Sequence, residues 1–262
     1  MRRREFIVAS LSAGAMSAAP YAGGRPEEKQ TQIIELLKYR LPVGSRKNLV
    51  SNFYRDAAIP AYNRLGIKSV GMFNVQYGPT DPTLYVLIPH PSVKSFLTAS
   101  SLLLEDEEYR KAGADFLASP LSDPAYIRFE TCLMQAFKDM PEVEVPEDLL
   151  DNTSRLYELR LYESHSRRAA KKKIEMFNEG GEIEVFRRTG LRPVFFGETL
   201  SGPLMPNLAY MLVFDSMASH DKQWDEFRNH PDWLKLRDDP QYKDTVSNVT
   251  DLILRPMPFS QI

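Results

Sequence analysis

Apolar residues recur with a period of two in LYELRLY (Leu156–Tyr162) and with a near-helical period in the stretch that follows. A period of two sends successive side chains to opposite faces of a strand, whereas a period near 3.6 lays a stripe along a helix. Leu156–Tyr162 therefore reads as a strand and Ser166 to Arg188 as a helical segment. Ser164 or Ser166 caps its start, and Gly190 stops it. Ile174, Phe177, Gly181 and Val185 form its buried stripe. The Gly180-Gly181 pair opens a kink or break there, since each glycine costs about 1 kcal/mol in a helix interior. Pro193–Leu200 and Leu208–Phe214 read as strands around the turn-like SGPLMP. Ser219 to about Arg237 reads as a helix in two pieces, and Asn248–Arg255 as a last strand.

The first half gives the same order. Ile33–Tyr39, Ser69–Tyr77, Thr83–Ile88 and Tyr126–Ala136 read as strands, with helical regions at Ser45–Leu65 and Ser92–Leu117. Landmarks recur at a nearly constant offset. Glu35-Leu36-x-x-Tyr39 is echoed by Glu158-Leu159-x-x-Tyr162, Arg64-x-Gly66 by Arg188-x-Gly190, and TLYVLI around Tyr85 by LAYMLVF around Tyr210. We read a tandem duplication of about 123–125 residues. The units span 30–137 and 155–258, joined by the acidic, proline-containing linker 138–154. Each unit is βαββαβ, the ferredoxin-like order, so the fold class is α+β. One sheet face of each unit is covered by helices. Two units packed through their other faces close a pseudo-symmetric α/β barrel, with a pocket expected between the sheets.

Composition narrows the function classes. The 262 residues carry a net charge of −2, which offers no electrostatic case for nucleic acid. No apolar run approaches a membrane span, so no integral membrane segment is expected once a signal is removed. Arg2-Arg3-Arg4-Glu5-Phe6-Ile7 leads into VASLSAGAMSAA, a basic region followed by a short apolar one. This is the pattern of a cleavable signal over 1–22, and Arg3-Arg4-x-Phe6-Ile7 resembles the twin-arginine type. Export to the periplasm or medium is the expectation. Cys132 is the single cysteine, which forbids an intramolecular disulfide.

YELRLY (Tyr157–Tyr162), GGEIEVFRRTG ending at Gly190, PVFFGE (Pro193–Glu198), LAYMLVF and WDEFRNHPDW (Trp224–Trp233) together resemble the NIPSNAP family of the dimeric α/β-barrel superfamily. The resemblance covers about Arg155 to Pro258. The first half is a more divergent copy that keeps Glu35, Tyr39 and Gly66 but has no tryptophan helix. The family implies a ferredoxin-like barrel and no settled activity. The wider superfamily includes monooxygenase-like, haem-binding and dye-decolorising proteins.

Alternation along Leu156–Tyr162 sends Tyr157, Leu159 and Leu161 one way, and Glu158, Arg160 and Tyr162 the other. The apolar set suits the helix-covered face, and the polar set is then expected to line the barrel interior, joined by Glu198. In this pocket Glu158 or Glu198 accepts a proton, Arg160 binds an anionic group and Tyr162 donates a hydrogen bond. The same residues are compatible with an Arg–Glu pair that satisfies itself at the interface. Glu35 and Tyr39 repeat the motif in the first half, with Leu37 in place of the arginine. His165, directly after the strand, is a candidate acid–base or axial ligand.

No histidine or cysteine spacing suits a metal, and nucleotide-binding and nucleophile-elbow motifs are absent. The cluster Arg167, Arg168, Lys171, Lys172 and Lys173 reads as a solvated face. WDEFRNHPDW reads as a helix end, a corner at His230-Pro231 and a new turn near Asp232, with Trp224 and Phe227 as buried anchors. The sequence thus points to a protein that binds a small aromatic or carboxylated ligand between its sheets, as a monomeric pseudo-dimer or a homodimer. No cofactor is predicted, haem entering only through the superfamily. A cofactor-independent oxygenase or isomerase-like enzyme and a non-catalytic interaction scaffold stay open as alternatives.

Overall fold

The computed structural model describes residues 31–44, 46–78 and 82–262. The expected signal 1–22 lies outside these residues. The first unit runs β1 (Ile33–Arg40), α1 (Arg46–Phe53), a π-helical turn (Tyr54–Ala58), α2 (Ile59–Arg64), β2 (Gly71–Tyr77), β3 (Thr83–His90), α3 (Val93–Glu105), α4 (Glu107–Ala112), α5 (Ala114–Leu117) and β4 (Arg128–Ala136). The second runs β5 (Leu156–Glu163), α6 (Arg167–Phe177), α7 (Glu182–Arg188), β6 (Arg192–Ser201), β7 (Asn207–Phe214), α8 (Met217–Asn229), α9 (Pro231–Arg237) and β8 (Asn248–Pro256).

Local chemistry sets the helix boundaries. Ser92, Ser166 and Ser216 each sit in extended backbone and accept from the amide three residues on, the side-chain cap that an N-terminus needs. The expected break between α6 and α7 falls at the glycine pair. A Cβ on Gly180 would lie 2.5 Å from the carbonyl oxygen of Met176. Gly181 has φ +81°, the left-handed region that glycine enters without penalty. At the corner, His230 is extended and its ring Nδ1 accepts from the Asp232 amide, while Pro231 occupies the first turn of α9.

All eight strands close into one antiparallel barrel in the order β1-β3-β2-β8-β5-β7-β6-β4. Each unit contributes four contiguous strands in its own 4-1-3-2 order, and the β2–β8 and β4–β6 pairs join the units. Three cores result. One lies between the first unit's strands and helices and contains Leu37, Tyr39, Val86 and Ile88. A second lies between the second unit's strands and α6–α9 and contains Phe177, Phe186, Tyr210 and Trp224. The third lies inside the barrel and draws on every strand, with Tyr157 and Leu159 from β5.

This arrangement reverses one expectation. Tyr157 and Leu159 point into the barrel, so Glu158, Arg160 and Tyr162 point out, towards the helices. A closed eight-stranded barrel has an interior about wide enough for side chains to fill, and burying charged groups such as Glu158 and Arg160 there is costly. The apolar set therefore takes the interior. The repeat is also one residue out of step in the third strand. Glu35 and Glu158 face Ile88 and Leu212 across their ladders, which makes Val86, not Tyr85, the counterpart of Tyr210. Tyr85 and Tyr210 lie on opposite faces of the sheet.

Candidate functional site

The outward face of β5 meets α8 in a cleft of about 330 Å3. On α8, His220, Trp224 and Phe227 recur at helical spacing and point towards β5, and Trp233 of α9 closes one side. The Trp224 indole N–H donates to Glu158 Oε2 at 2.6 Å, and Arg160 Nη1 donates to Glu158 Oε1 at 2.6 Å. The Arg160 guanidinium lies over the Trp224 ring, 4.9 Å from its centroid, and 5.6 Å from that of Tyr162. Tyr162 and Tyr210 share a hydroxyl–hydroxyl hydrogen bond of 2.8 Å. His220 Nε2 stands 3.5 Å from Glu158 Oε2, and its Nδ1 is 2.8 Å from Asp221 Oδ1.

Behind the cleft, Lys173 Nζ donates to Glu182 Oε2 at 2.7 Å. Both side chains are buried, and the ammonium also lies over the Phe177 ring at 4.5 Å. Lys173 is therefore no part of a solvated face. Its neighbours Arg167, Arg168 and Lys171 do face solvent, because only one side of α6 packs on the sheet.

The electrostatics follow from burial set against partners. Burial alone would raise the Glu158 pKa, but His220, the Arg160 charge and the Trp224 N–H outweigh it and hold the carboxyl below its ordinary range. Burial would likewise depress His220, yet Glu158 and Asp221 raise it above an ordinary histidine. Glu182 is raised, burial exceeding the pull of Lys173. Two buried polar atoms in this cluster, Arg160 Nε and His220 Nε2, have no hydrogen-bond partner among the described residues.

The expected site residues divide accordingly. Glu158, Arg160 and Tyr162 come together, outside the barrel instead of within it. Glu198 also faces the helices but is held by Lys171 at 2.7 Å and lines a different groove with Gln135 and Asn178. Glu35 is bound by His90 at 3.0 Å and Thr131 at 3.0 Å, and Tyr39 by Tyr54 at 3.0 Å, in the first unit. His165 is exposed in the turn after β5 and is not among the cleft's lining residues. Sequence reasoning missed His220 as a partner of Glu158, and it read Trp224 as an anchor alone. The spacing of His220, Trp224 and Phe227 was the available signal.

Haem needs an imidazole nitrogen free to meet the iron. His165 lies outside the cleft, and each nitrogen of His220 faces a carboxylate, so the cleft's residues do not fit that group. Among the described residues no group of three His, Cys, Asp or Glu side chains is placed to hold a metal ion.

Comparison with known proteins places this geometry. No curated protein matches the sequence. A Fusobacterium nucleatum protein provisionally named a monooxygenase superposes with TM-score 0.58 at 10% identity, covering 87% of this chain and 93% of its own. A Lactobacillus acidophilus protein named in the same way gives 0.56 at 9%, covering 86% and 94%. An anthrone oxidase-like protein gives 0.50 at 11%, covering 88% and 93%. At such identities the likeness is one of fold. The NIPSNAP family model matches residues 157–261, the unit that carries the cleft. In sequence, the second half of this chain is similar to the NIPSNAP family.

Proposed function

We propose that the protein binds a small aromatic compound bearing an anionic group, held in the cleft between β5 and α8–α9. The observation that carries this reading is Arg160, whose guanidinium is stacked on an indole while its Nε donor has no hydrogen-bond partner among the described residues. A carboxylate or phenolate would accept from that donor, and Trp224, Phe227 and Trp233 would flank the ring. Calorimetric titration with 4-hydroxybenzoate tests it. Arg160→Gln should abolish the heat of binding, and a wild type that gives none at millimolar ligand would refute the reading.

A second reading, cofactor-independent oxygenation of such a ring, is favoured by His220 on the cleft wall, its Nε2 standing 3.5 Å from the Glu158 carboxylate. There the imidazole would take a ring proton, O2 would add at the carbanion, and one water would leave as a carbonyl forms. Oxygen uptake with anthrone, lost in His220→Gln, checks this reading. The names of the fold relatives accord with it through shared architecture only. The reading also takes the chain as a monomer, both units of the barrel lying in one polypeptide. It further takes the protein as exported by the twin-arginine route. Replacing Arg3 and Arg4 by lysine should then retain it in the cytoplasm.

A further inference from the structure

The barrel interior is filled at one end only. There Tyr157, Phe195, Phe73, Met134 and Leu254 are fully buried. Towards the other end a cavity of about 420 Å3 opens between the inward faces of both units, within the range of single small-molecule sites. The ladder register names its walls. Glu130, Lys38 and Tyr85 stand directly across from one another on β4, β1 and β3. Facing them, Thr250, Leu161 and Ala209 form the matching row on β8, β5 and β7.

The repeat explains the empty space. With Val86 the counterpart of Tyr210, Tyr85 is the counterpart of Ala209. A symmetric barrel would place a second phenol ring where the second unit has a methyl group. Cys132 and Leu159 line the cavity below this row. Leu204, on the β6–β7 loop, sits at its mouth.

We propose that this cavity is a second ligand site, distinct from the β5–α8 cleft, for an uncharged apolar molecule carrying one hydrogen-bond acceptor that meets the Tyr85 hydroxyl. Three observations fix the ligand class. Leu161, Leu159, Leu252 and Ala209 make the lining mainly apolar. The two charges at the rim, Lys38 and Glu130, are opposite and adjacent across the ladder, so the rim favours neither ionic sign. Tyr85 is 7% exposed, and no hydrogen bond engages its hydroxyl among the described residues. Burial and the Glu130 charge push that phenol up to about 12, so it stays a donor at neutral pH. Tyr85 lines the cavity, and an acceptor on the ligand can take the hydrogen bond that its phenol offers.

Prodan, an uncharged naphthalene ketone whose emission shifts to the blue in apolar surroundings, tests the assignment on the full chain. The wild type should bind it with a blue shift. Ala209→Phe, which fills the space, should weaken binding by at least about tenfold. Tyr85→Phe should weaken it by about three- to tenfold, the loss of one hydrogen bond. Arg160→Gln, in the other cleft, should change affinity by less than about twofold, as expected of separate sites. Near-UV circular dichroism establishes that each variant is folded. Should Ala209→Phe fail to fold, Leu204→Glu at the half-exposed mouth replaces it, and several-fold weaker binding is expected. The proposal is overturned if the wild type does not bind prodan. It is also overturned if Arg160→Gln abolishes binding, or if the folded cavity variants bind as the wild type does. Titration with 4-hydroxybenzoate, which reads the β5–α8 cleft, stands or fails separately.

Discussion

The indole of Trp224 donates to Glu158 Oε2 across 66 residues of chain, and through that bond α8 is fastened to β5. The same carboxylate takes Arg160 Nη1 on its other oxygen, so one buried Glu accepts from an indole and a guanidinium together. Removal of either donor leaves a buried acceptor short of a partner, which is more expensive than an exposed loss.

Trp224 should therefore separate packing from hydrogen bonding. Trp224→Ala is expected to cost about 3–5 kcal/mol, mostly lost burial. Trp224→Phe keeps much of the ring and is expected to cost about 1–3 kcal/mol, mainly from the stranded Glu158 oxygen. Urea denaturation midpoints measure both, and an unchanged midpoint for the alanine variant would contradict the packing described.

Glu158 and His220 should give stability a pH optimum. The His220 pKa is raised, so its contribution is complete below the ordinary histidine value of 6.5 and fades as pH climbs through the higher folded value. The Glu158 pKa is lowered, so its contribution is complete above 4.5 and fades as acid reaches the lower folded value. The pair stabilises most between those two reference values. His220→Gln should flatten the loss of stability above pH 6.5. NMR titration of the imidazole should show a midpoint above that of a free histidine.

Lys173 and Glu182 form a buried ion pair, and breaking one side leaves the other charge unmatched. Lys173→Met is expected to cost about 3–5 kcal/mol. Lys173→Met combined with Glu182→Leu should recover most of that loss. Thermal melts of the two variants decide it, and equal midpoints would show that the pairing carries no energy.

The glycine break between α6 and α7 should respond unequally at its two positions. Gly181→Ala meets open space and pays only for its left-handed backbone, about 1–2 kcal/mol. Gly180→Ala drives a methyl against the Met176 carbonyl and should cost more. Reversed costs would mean that the chain has another way through this corner.

Much of the architecture was written in local pattern. Serines before helical stripes, the Gly180-Gly181 pair and the His230-Pro231 corner act over a few residues, and they fixed where elements begin and end. The repeat of Glu35 and Tyr39 in Glu158 and Tyr162 located two equivalent first strands. The candidate site is legible only in part, for alternation groups Glu158, Arg160 and Tyr162 on one face of the strand without telling that this face meets the helices. A period of two says that neighbours face opposite ways and says nothing of which way is inward.

Sequence alone determined two βαββαβ units and the strand that carries the polar residues, because these depend on side-chain period and capping within short range. Tertiary structure alone decided that Glu158 would face Trp224 and His220 instead of the barrel interior. Closing eight strands gathers apolar side chains such as Leu159 inside, where a charged carboxylate would be costly, and the partners that satisfy Glu158 lie on a helix more than sixty residues away.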